Sequence, residues 1–585
     1  MVNTIKIGMA TCGLAAGAQK TYDKLVQLIT NKNLDYEIKK VGCIGMCYNE
    51  PLVEFIIDNK SYTYKNITQD KVELLINNIL NKKYKNNMLE YTENVKISGV
   101  PEKSNHAFFR DQVKIITDNC GIIKPLSLEE YKQRNGFSGL KKAFSLKPEE
   151  IISIIEKSKL RGRGGAGFPT AMKWKFIASK QGEKFLVCNF DEGDPGAFMN
   201  RSLVEGDPYK LIEGMIIAAY TIKASKGFIY VRAEYPLALK TLRKALDICR
   251  ENNYLGSNIL GTGFNFNIEI KLGAGAYVCG EETALIESIQ GNRGNPRAKP
   301  PFPSDKGLWN KPTNINNVGT FAHVTKILQD GVDEYIKYGT EKSKGTKVIS
   351  LTGKVKRTGM IEVPLGIKLR KIVFDIGGGT TKKFKAVQIG GPSGGCLPES
   401  ELDLGLDYDT IIEKGAIMGS GGIVVMDTDT DMVSVAKFFV NFSTEESCGK
   451  CTPCREGTKI MLYYLTKILN KDATLTDYKE LKKLCPIIKD TALCGLGQAS
   501  PNPVLSTIKY FEKEYLRKLK DVKRLTQYII NNKCTGCGVC KIDCPANAII
   551  GKKGEKHFID QHKCTHCGIC FNKCKFKAID KEKLL

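Results

Sequence analysis

The chain has 585 residues, 42% of them hydrophobic and 26% charged, and its 88 Lys and Arg against 63 Asp and Glu give a net charge of +25. That length predicts several domains with ample core, and no apolar run reaches the roughly 18 residues a membrane helix needs. The start, Met1 to Lys6, has no basic segment followed by an apolar one, so a cytoplasmic protein without a targeting signal is expected.

The 21 cysteines cluster at gaps of two and three residues, which points to metal rather than to disulfides. Lysines are scattered among Asn and Ile without an aromatic-interleaved stripe, which argues against nucleic acid as a partner. The last 55 residues hold 11 Lys and 5 acidic residues, a surface that suits plain solvation or an acidic redox carrier such as a small ferredoxin.

Residues 1–85 begin with a strand at Ile5 and Ile7, then Cys12, then a helix carrying Tyr22, Leu25, Val26 and Ile29. Cys43 and Cys47 follow at ligand-like spacing, before a strand from Val53 to Ile57. Residues 86–146, with Pro101, Asn105, Gly121, Pro125 and Gly136, read as a polar connector that wraps rather than a core. His106 and Cys120 receive no role in it.

Residues 147–335 read as an α/β unit. Pro148, Glu149 and Glu150 start a helix whose period runs through Ile151, Ile152, Ile154, Ile155 and Leu160, with Gly162 as its stop. Gly162, Gly164, Gly165 and Gly167 then form a bare backbone loop, to which Arg161, Arg163 and Lys173 add positive charge. Such a loop suits a phosphate, or a flavin together with a dinucleotide, although the glycine spacing alone fits a surface turn equally well. Strands at 185–188, 227–232 and 266–272 alternate with helices over 216–222 and through Leu237, Leu242, Leu246 and Cys249. A mostly parallel sheet is expected, with ligands at the carboxyl ends of its strands. Asn189, Asp191, Glu192 and Asp194 fall at one such end, and the run from Gly273 through Tyr277 and Gly280 to Glu282 at another. Glu281 and Glu282 suit a helix dipole and also offer acceptors to ribose hydroxyls or a carboxamide. Beyond them Lys299, Phe302, Asn316 and Asn317 bring a charge, a ring for stacking and two amides.

Residues 345–430 are short glycine-rich β runs. Asp375 to Thr380 matches the phosphate loop of actin-like ATPases, but the stretch is far too short for their paired domains. Residues 435–520 are helical, with Cys448, Cys451 and Cys454 at a helix start and Cys494 beside Gly495 and Gly497; three close thiolates and one remote suit a [4Fe–4S] cube, with Cys485 as the other candidate for fourth ligand. Residues 525–585 repeat one motif: Cys534, Cys537, Cys540 and Cys544-Pro545, then Cys564, Cys567, Cys570 and Cys574, with Lys575 in the proline's place. In two-cluster ferredoxins the fourth cysteine of each run ligates the other cube, so Cys574 joins Cys534, Cys537 and Cys540, and Cys544 joins Cys564, Cys567 and Cys570. His562 and His566 read as surface histidines.

Four strings, Arg161 to Thr170, Cys188 to Gly196, Gly273 to Ala284 and Ser447 to Gly457, resemble the NADH-binding flavoprotein subunit of respiratory complex I, the family of NADH-quinone oxidoreductase F subunits. The modules at both ends resemble those of the beta, flavin-bearing subunits of NAD-dependent, electron-bifurcating [FeFe]-hydrogenases. The resemblance implies a multidomain α/β fold: a thioredoxin-like [2Fe–2S]-type domain at 1–85, the connector, a Rossmann-like FMN/NADH domain at 147–335, a β-grasp (SLBB-like) domain at 345–430, a helical-bundle [4Fe–4S] domain at 435–520 and a two-cluster ferredoxin domain at 525–585. The family's first domain brings four cysteines, yet its first ligand position is Ile7 here, so a cluster on Cys12, Cys43 and Cys47 needs another fourth ligand. The family also places its cube ligand at Cys494 and usually has Glu where this chain has Gly319.

By the same resemblance, FMN sits on Gly162, Gly164, Gly165, Lys173, Asn189, Asp191, Glu192, Tyr277, Gly280, Asn316 and Asn317, and Arg163 and Gly167 of the same loop also belong to the cofactor-binding set. NADH stacks near Phe168 and Phe302, oriented by Glu192, Asp194, Glu281, Glu282 and Lys299, with Glu192, Asp194 and Glu281 closest to the chemistry. NADH gives up two electrons as hydride while clusters carry one each, so a flavin between them is implied. The expected function is an NADH dehydrogenase (diaphorase) subunit with FMN, NAD, three [4Fe–4S] cubes and, if the first domain holds one, a [2Fe–2S] centre. Its expected partners are a thioredoxin-like [2Fe–2S] subunit and a hydrogenase or complex-I-type subunit, or a soluble ferredoxin. The alternative is an electron-wiring scaffold whose flavin pocket has decayed.

Overall fold

The computed structural model describes residues 3–520, 526–561 and 563–583, so His562 lies outside the described residues. Near the N-terminus, β1 (Asn3–Gly8), β2 (Tyr36–Val41), β3 (Val53–Ile57), β4 (Lys60–Tyr64) and β5 (Leu89–Glu93) form a sheet in the order β2-β1-β3-β4-β5. β1 runs parallel to β2 and antiparallel to β3. Ile5 and Ile7 are fully buried, and the helix Ala18–Asn31 lays Ala18, Leu25, Leu28 and Ile29 over them. Val26, expected on that face, is exposed, because it lies about 100° around the helix from Leu25.

Residues 86–146 depart from the expected connector. β5 completes the first sheet, and Tyr91, Phe108 and Phe109 join a core with Met46, Ile349 and Ile361. Ile115, Ile116, Tyr131, Phe137 and Leu140 belong to the core of the α/β unit. Two buried carboxylates fix the segment there. Glu362 accepts from the N–H groups of Ile115, Ile116 and Thr117 at 3.0, 3.0 and 2.9 Å. Glu213 accepts from Tyr131 Oη, Phe137 N and Leu140 N at 2.6, 2.8 and 2.9 Å. Backbone that forms few regular ladders is thereby satisfied inside the protein. Cys120 is simply buried, and His106 is buried against Glu90.

The α/β unit carries β6 (Phe185–Phe190), β7 (Lys226–Arg232), β8 (Asn267–Gly273) and β9 (Thr313–Asn317), all parallel, in the order β8-β7-β6-β9. The buried helix Pro208–Ile222 and the amphipathic helix Pro236–Glu251 cover it. Along β8 the expected alternation fails at Leu272, which is 50% exposed at the edge of the sheet. The helix after Pro148 ends at Lys157, short of Gly162, because Lys159 adopts a left-handed conformation at φ 50°.

A mixed sheet follows, built from β10 (Thr346–Gly353), β11 (Gly359–Pro364), β12 (Phe384–Ile389), β13 (Gly395–Pro398) and β14 (Gly422–Asp427) in the order β11-β10-β14-β12-β13. β10 and β14 are its parallel central pair. Asp375 and Ile376 end the short helix Lys371–Ile376 of this unit, and Gly377 to Gly379 follow it as a turn. Helices Met432–Glu445, Gly457–Leu469, Leu475–Thr491 and Asn502–Leu516 then pack around Val440, Met461, Leu465 and Ile488. In the C-terminal module β15 (Thr526–Ile530) pairs with β18 (Ile579–Lys583) and β16 (Ile549–Ile550) with β17 (Phe558–Ile559), so its first and last strands meet.

Candidate nucleotide and iron–sulfur sites

The glycine loop closes on itself through Gly162 N to Phe168 O at 2.8 Å and Thr170 N to Leu160 O at 2.9 Å. Gly165 and Gly167 have φ of 127° and 65°, where side chains are disfavoured. A Cβ on Gly167 would fall 2.5 Å from the Tyr408 ring, so the loop rests directly on the mixed-sheet unit. Its arginines do not serve as expected. Arg161 grips the Asp409 carboxylate at 3.1 Å and lies 4.7 Å above the Tyr408 ring. Arg163, almost fully buried, donates to Tyr335 Oη and to the carbonyls of Arg161, Lys344 and Thr346 at 3.2, 2.8, 2.6 and 2.9 Å. Its backbone N–H is also taken, by Thr320 Oγ1 at 2.9 Å. Arg163 therefore shapes the loop instead of meeting a phosphate, and of the three basic residues Lys173 faces the paired glutamates, 3.2 Å from Glu282.

The carboxyl ends of the four parallel strands converge beside this loop. Asn189 and Asn317 are register partners on β6 and β9. Asn189 Nδ2 donates to Gly280 O at 2.9 Å, which pins the run after β8 to the end of β6. Asp191 pairs with Arg232 at 3.1 Å, and its second oxygen is buried without a hydrogen-bond partner. Burial pushes the Asp191 carboxyl up to about 7 despite that arginine. Asn316 Oδ1 accepts from Trp174 Nε1 at 3.0 Å, and Asn317 caps the helix Val318–Asp330 through Gly319 N at 2.9 Å. A Cβ at Gly319 would lie 3.3 Å from Asn317 Oδ1, so glutamate there would crowd the cap.

Each of the three carboxylates expected nearest the chemistry already has a task in the fold. Glu192 is buried, accepts from Asn200 N and Arg201 N at 2.9 and 3.0 Å, and is pushed by its burial up to about 7. Asp194 accepts from Tyr277 Oη at 2.6 Å and from the Ser420 hydroxyl, and burial raises its carboxyl. Glu281 caps the helix Glu282–Ile289 by accepting from Thr283 N and Ala284 N at 2.8 and 3.0 Å. Lys299 bridges Glu281 and Glu282 at 2.9 and 3.0 Å. Burial works to raise Glu282, but Lys173 and Lys299 outweigh it and hold the group below the usual carboxylate range. Phe168 and Phe302 are 46% and 52% exposed, so both rings are available for stacking.

Sequence reasoning missed Arg232, Asp409, Ser420 and Glu446, the last of which accepts from Tyr277 N at 2.8 Å. Ser420 sits in Gly419-Ser-Gly-Gly422, a second glycine cluster that carried a detectable signal. The others are ordinary charges at ordinary spacings.

One cavity is lined by Cys448, Cys451, Cys454 and Cys494 together with Val278 and Pro296 from the nucleotide unit. Cys485 is elsewhere, fully buried in the helical core against Met461. In the last module Cys544 shares a cavity with Cys564, Cys567 and Cys570. Cys540 is raised by burial and by Cys534, Cys537 and Cys574 beside it, so Cys574 stands near the first run as Cys544 stands near the second. At the opposite end of the chain Cys12, Cys43 and Cys47 bring their sulfurs within 4.8 Å of one another.

Residues 155–326 match the family described as the Nuo51 FMN-binding domain, residues 434–518 the NADH-ubiquinone oxidoreductase-F iron-sulfur binding region, and residues 533–579 a 4Fe-4S dicluster domain. The chain is 52% identical over 484 residues to the NADP-reducing hydrogenase subunit HndC of Solidesulfovibrio fructosivorans, covering 81% of this chain and 99% of that protein. It is 43% identical to the F 2 subunit of the NADH-quinone oxidoreductase of Rhizobium meliloti (strain 1021), covering 67% and 94%. A chain of the NAD+-reducing [NiFe]-hydrogenase, solved in the H2-reduced state, superposes with a TM-score of 0.62 at 29% identity, covering 88% of this chain and 84% of that one. Among the described residues no helix is long and apolar enough to cross a membrane.

Proposed function

We infer a mechanism from one premise: the chain belongs to the family of NADH-quinone oxidoreductase F subunits and their hydrogenase counterparts, and is an NADH-oxidising flavoprotein subunit with iron–sulfur clusters. The residues at the strand ends fit FMN. The free, buried oxygen of Asp191 calls for a donor that none of the described residues supplies, and the glycine loop beside it leaves backbone bare. FMN bound there accepts two electrons as hydride and passes them on singly.

What the chain contributes is position. Gly162, Gly164, Gly165, Asn189, Asp191, Asn316 and Asn317 would hold the flavin, with Glu192, Asp194 and Tyr277 keeping the walls in place. The exposed rings of Phe168 and Phe302 would sandwich the nicotinamide nucleotide, and Glu281, Glu282 and Lys299 would align its polar edge. No proton-transfer group is needed for a hydride, which agrees with Glu192, Asp194 and Glu281 being engaged as caps and anchors.

One observation carries this reading: the short run 277–281 forms a wall shared by two sites. Tyr277 and Gly280 bond to Asp194 and Asn189 on the nucleotide side, and Val278 lines the cavity of Cys448, Cys451, Cys454 and Cys494. A flavin held by these residues would be divided from that cavity by this one peptide segment. We take Cys494 as that cube's fourth ligand, and the crossed sets of the last module as two further cubes.

The order β11-β10-β14-β12-β13, with a parallel central pair, supports a β-grasp unit for residues 345–430, and the four parallel strands support a Rossmann-like one. The outlet is a hydrogenase or complex-I-type subunit, or a ferredoxin docking on the lysine-rich last module. Anaerobic NADH should bleach the flavin band of the purified chain and elicit the electron-spin signals of reduced cubes. Mass spectrometry of the native complex should find one of those partners. A chain that takes up no FMN on reconstitution, and whose cubes stay oxidised with NADH, is the wiring scaffold instead.

A further inference from the structure

We propose that Cys12, Cys43 and Cys47, with Glu50 as oxygen donor, form a site for a single tetrahedral thiophilic ion of the zinc class, and not for the [2Fe–2S] cluster that the resemblance implies. The close spacing of the three sulfurs favours the single ion. All lie within 4.8 Å of one another, the one such group of Cys, His, Asp or Glu among the described residues. Ligands of one tetrahedral ion, at about 2.3 Å each, stand about 3.8 Å apart. In a two-iron cluster the thiolates divide between two irons, so one of any three stands roughly 5 Å or more from another. The cube cysteines of this same chain, whose cofactor is larger still, do not gather so tightly.

The fourth position agrees. Ile7, where the family's remaining thiolate belongs, is a fully buried strand residue. Glu50 is the oxygen donor beside the three sulfurs, not drawn in among them: its Oε1 lies 3.8 Å from Cys12 Sγ, outside the 4.8 Å group, while Leu52 N holds Oε2 at 2.9 Å. The carboxylate is 8% exposed, and among the described residues no Lys, Arg or His pairs with it. A buried carboxyl is neutralised by a proton or by a compensating cation, and a bound ion would be such a cation. The backbone closes around it, since a Cβ on Gly8 would lie 3.2 Å from Oε1 and one on Gly13 3.3 Å from Oε2. Gly45 N donates to Cys43 Sγ at 3.2 Å, the kind of bond that steadies a thiolate ligand.

The test is metal analysis of the full chain, produced anaerobically with both iron and zinc supplied. One zinc or one lone iron per chain, with an absorption-edge spectrum fitted by three sulfurs and one oxygen, is the expected result. Cys43→Ser should lose that ion while the cube signals persist, and Glu50→Ala should lose it to a chelator at least tenfold faster. The wild-type spectrum needs no variant to fold. A two-iron spectrum with matching sulfide, or wild-type protein without any ion bound by these thiols, overturns the proposal.

Discussion

At the scale of single residues, the cysteines of the helical unit separate into those that line a cavity and one that packs the core. Cys494 faces Cys448, Cys451 and Cys454 across one cavity, whereas Cys485 fills a gap beside Met461. Cys494→Ala should therefore cost the chain one cube, seen as a loss of about a third of the cube iron. Cys485→Ala should leave the iron content unchanged and cost about 1–2 kcal/mol of helical-unit stability through a small cavity. The aromatic rings divide in the same way, since the buried Trp174 holds Asn316 in place while the exposed Phe302 stacks on no ring among the described residues. Phe302→Ala should raise KM for NADH about tenfold, the worth of one stacking partner, with flavin content unaltered. Steady-state kinetics alongside flavin quantitation will show that split.

Elements owe their placement to a few buried charges. Glu213, on the helix Pro208–Ile222, anchors the two short helices of the 86–146 segment, and burial pushes its carboxyl up to about 7 against the hydrogen bonds of Tyr131, Phe137 and Leu140. Its folded pKa thus exceeds the ordinary value of 4.5, so between those values the native state holds a proton that the unfolded chain has released. The associated stability is complete at low pH and is lost as pH rises to about 7, by at most about 3 kcal/mol. Glu213→Gln should flatten that fall, read as denaturant midpoints at pH 5.5 and 7.5 from the fluorescence of Trp174, which lies in the same core. Asp191 and Glu192, raised in the same direction, should keep the remainder of the slope.

In the whole molecule, the nucleotide unit and the first cysteine cavity share a wall, while the cysteines of the last module, proposed above as the outlet, lie in a unit whose first and last strands pair. Entry and exit of electrons should accordingly be separable. Cys540→Ser combined with Cys570→Ser should leave NADH-driven reduction of ferricyanide within about twofold of wild type. The same variant should lose more than 90% of the transfer to a protein acceptor, measured with a reduced-acceptor assay.

The amino-acid sequence by itself determined whatever depends on spacing. The cysteine repeats, the glycine loop after an amphipathic helix, the parallel order of strands and the carboxyl-end location of the site all follow from short-range pattern, because ligand sets and strand–helix alternation are local in the chain. Tertiary structure alone decided what each charge does. Arg161 finds Asp409 and Ile115 finds Glu362 across separations of 248 and 247 residues, and no local periodicity marks such pairs. It turned two arginines from anion contacts into clamps, three carboxylates into caps and anchors, and a segment that reads as a linker into the seam between cores. The physical reason is the same each time: a buried polar group takes the nearest partner in space, and that partner is set by how the units pack.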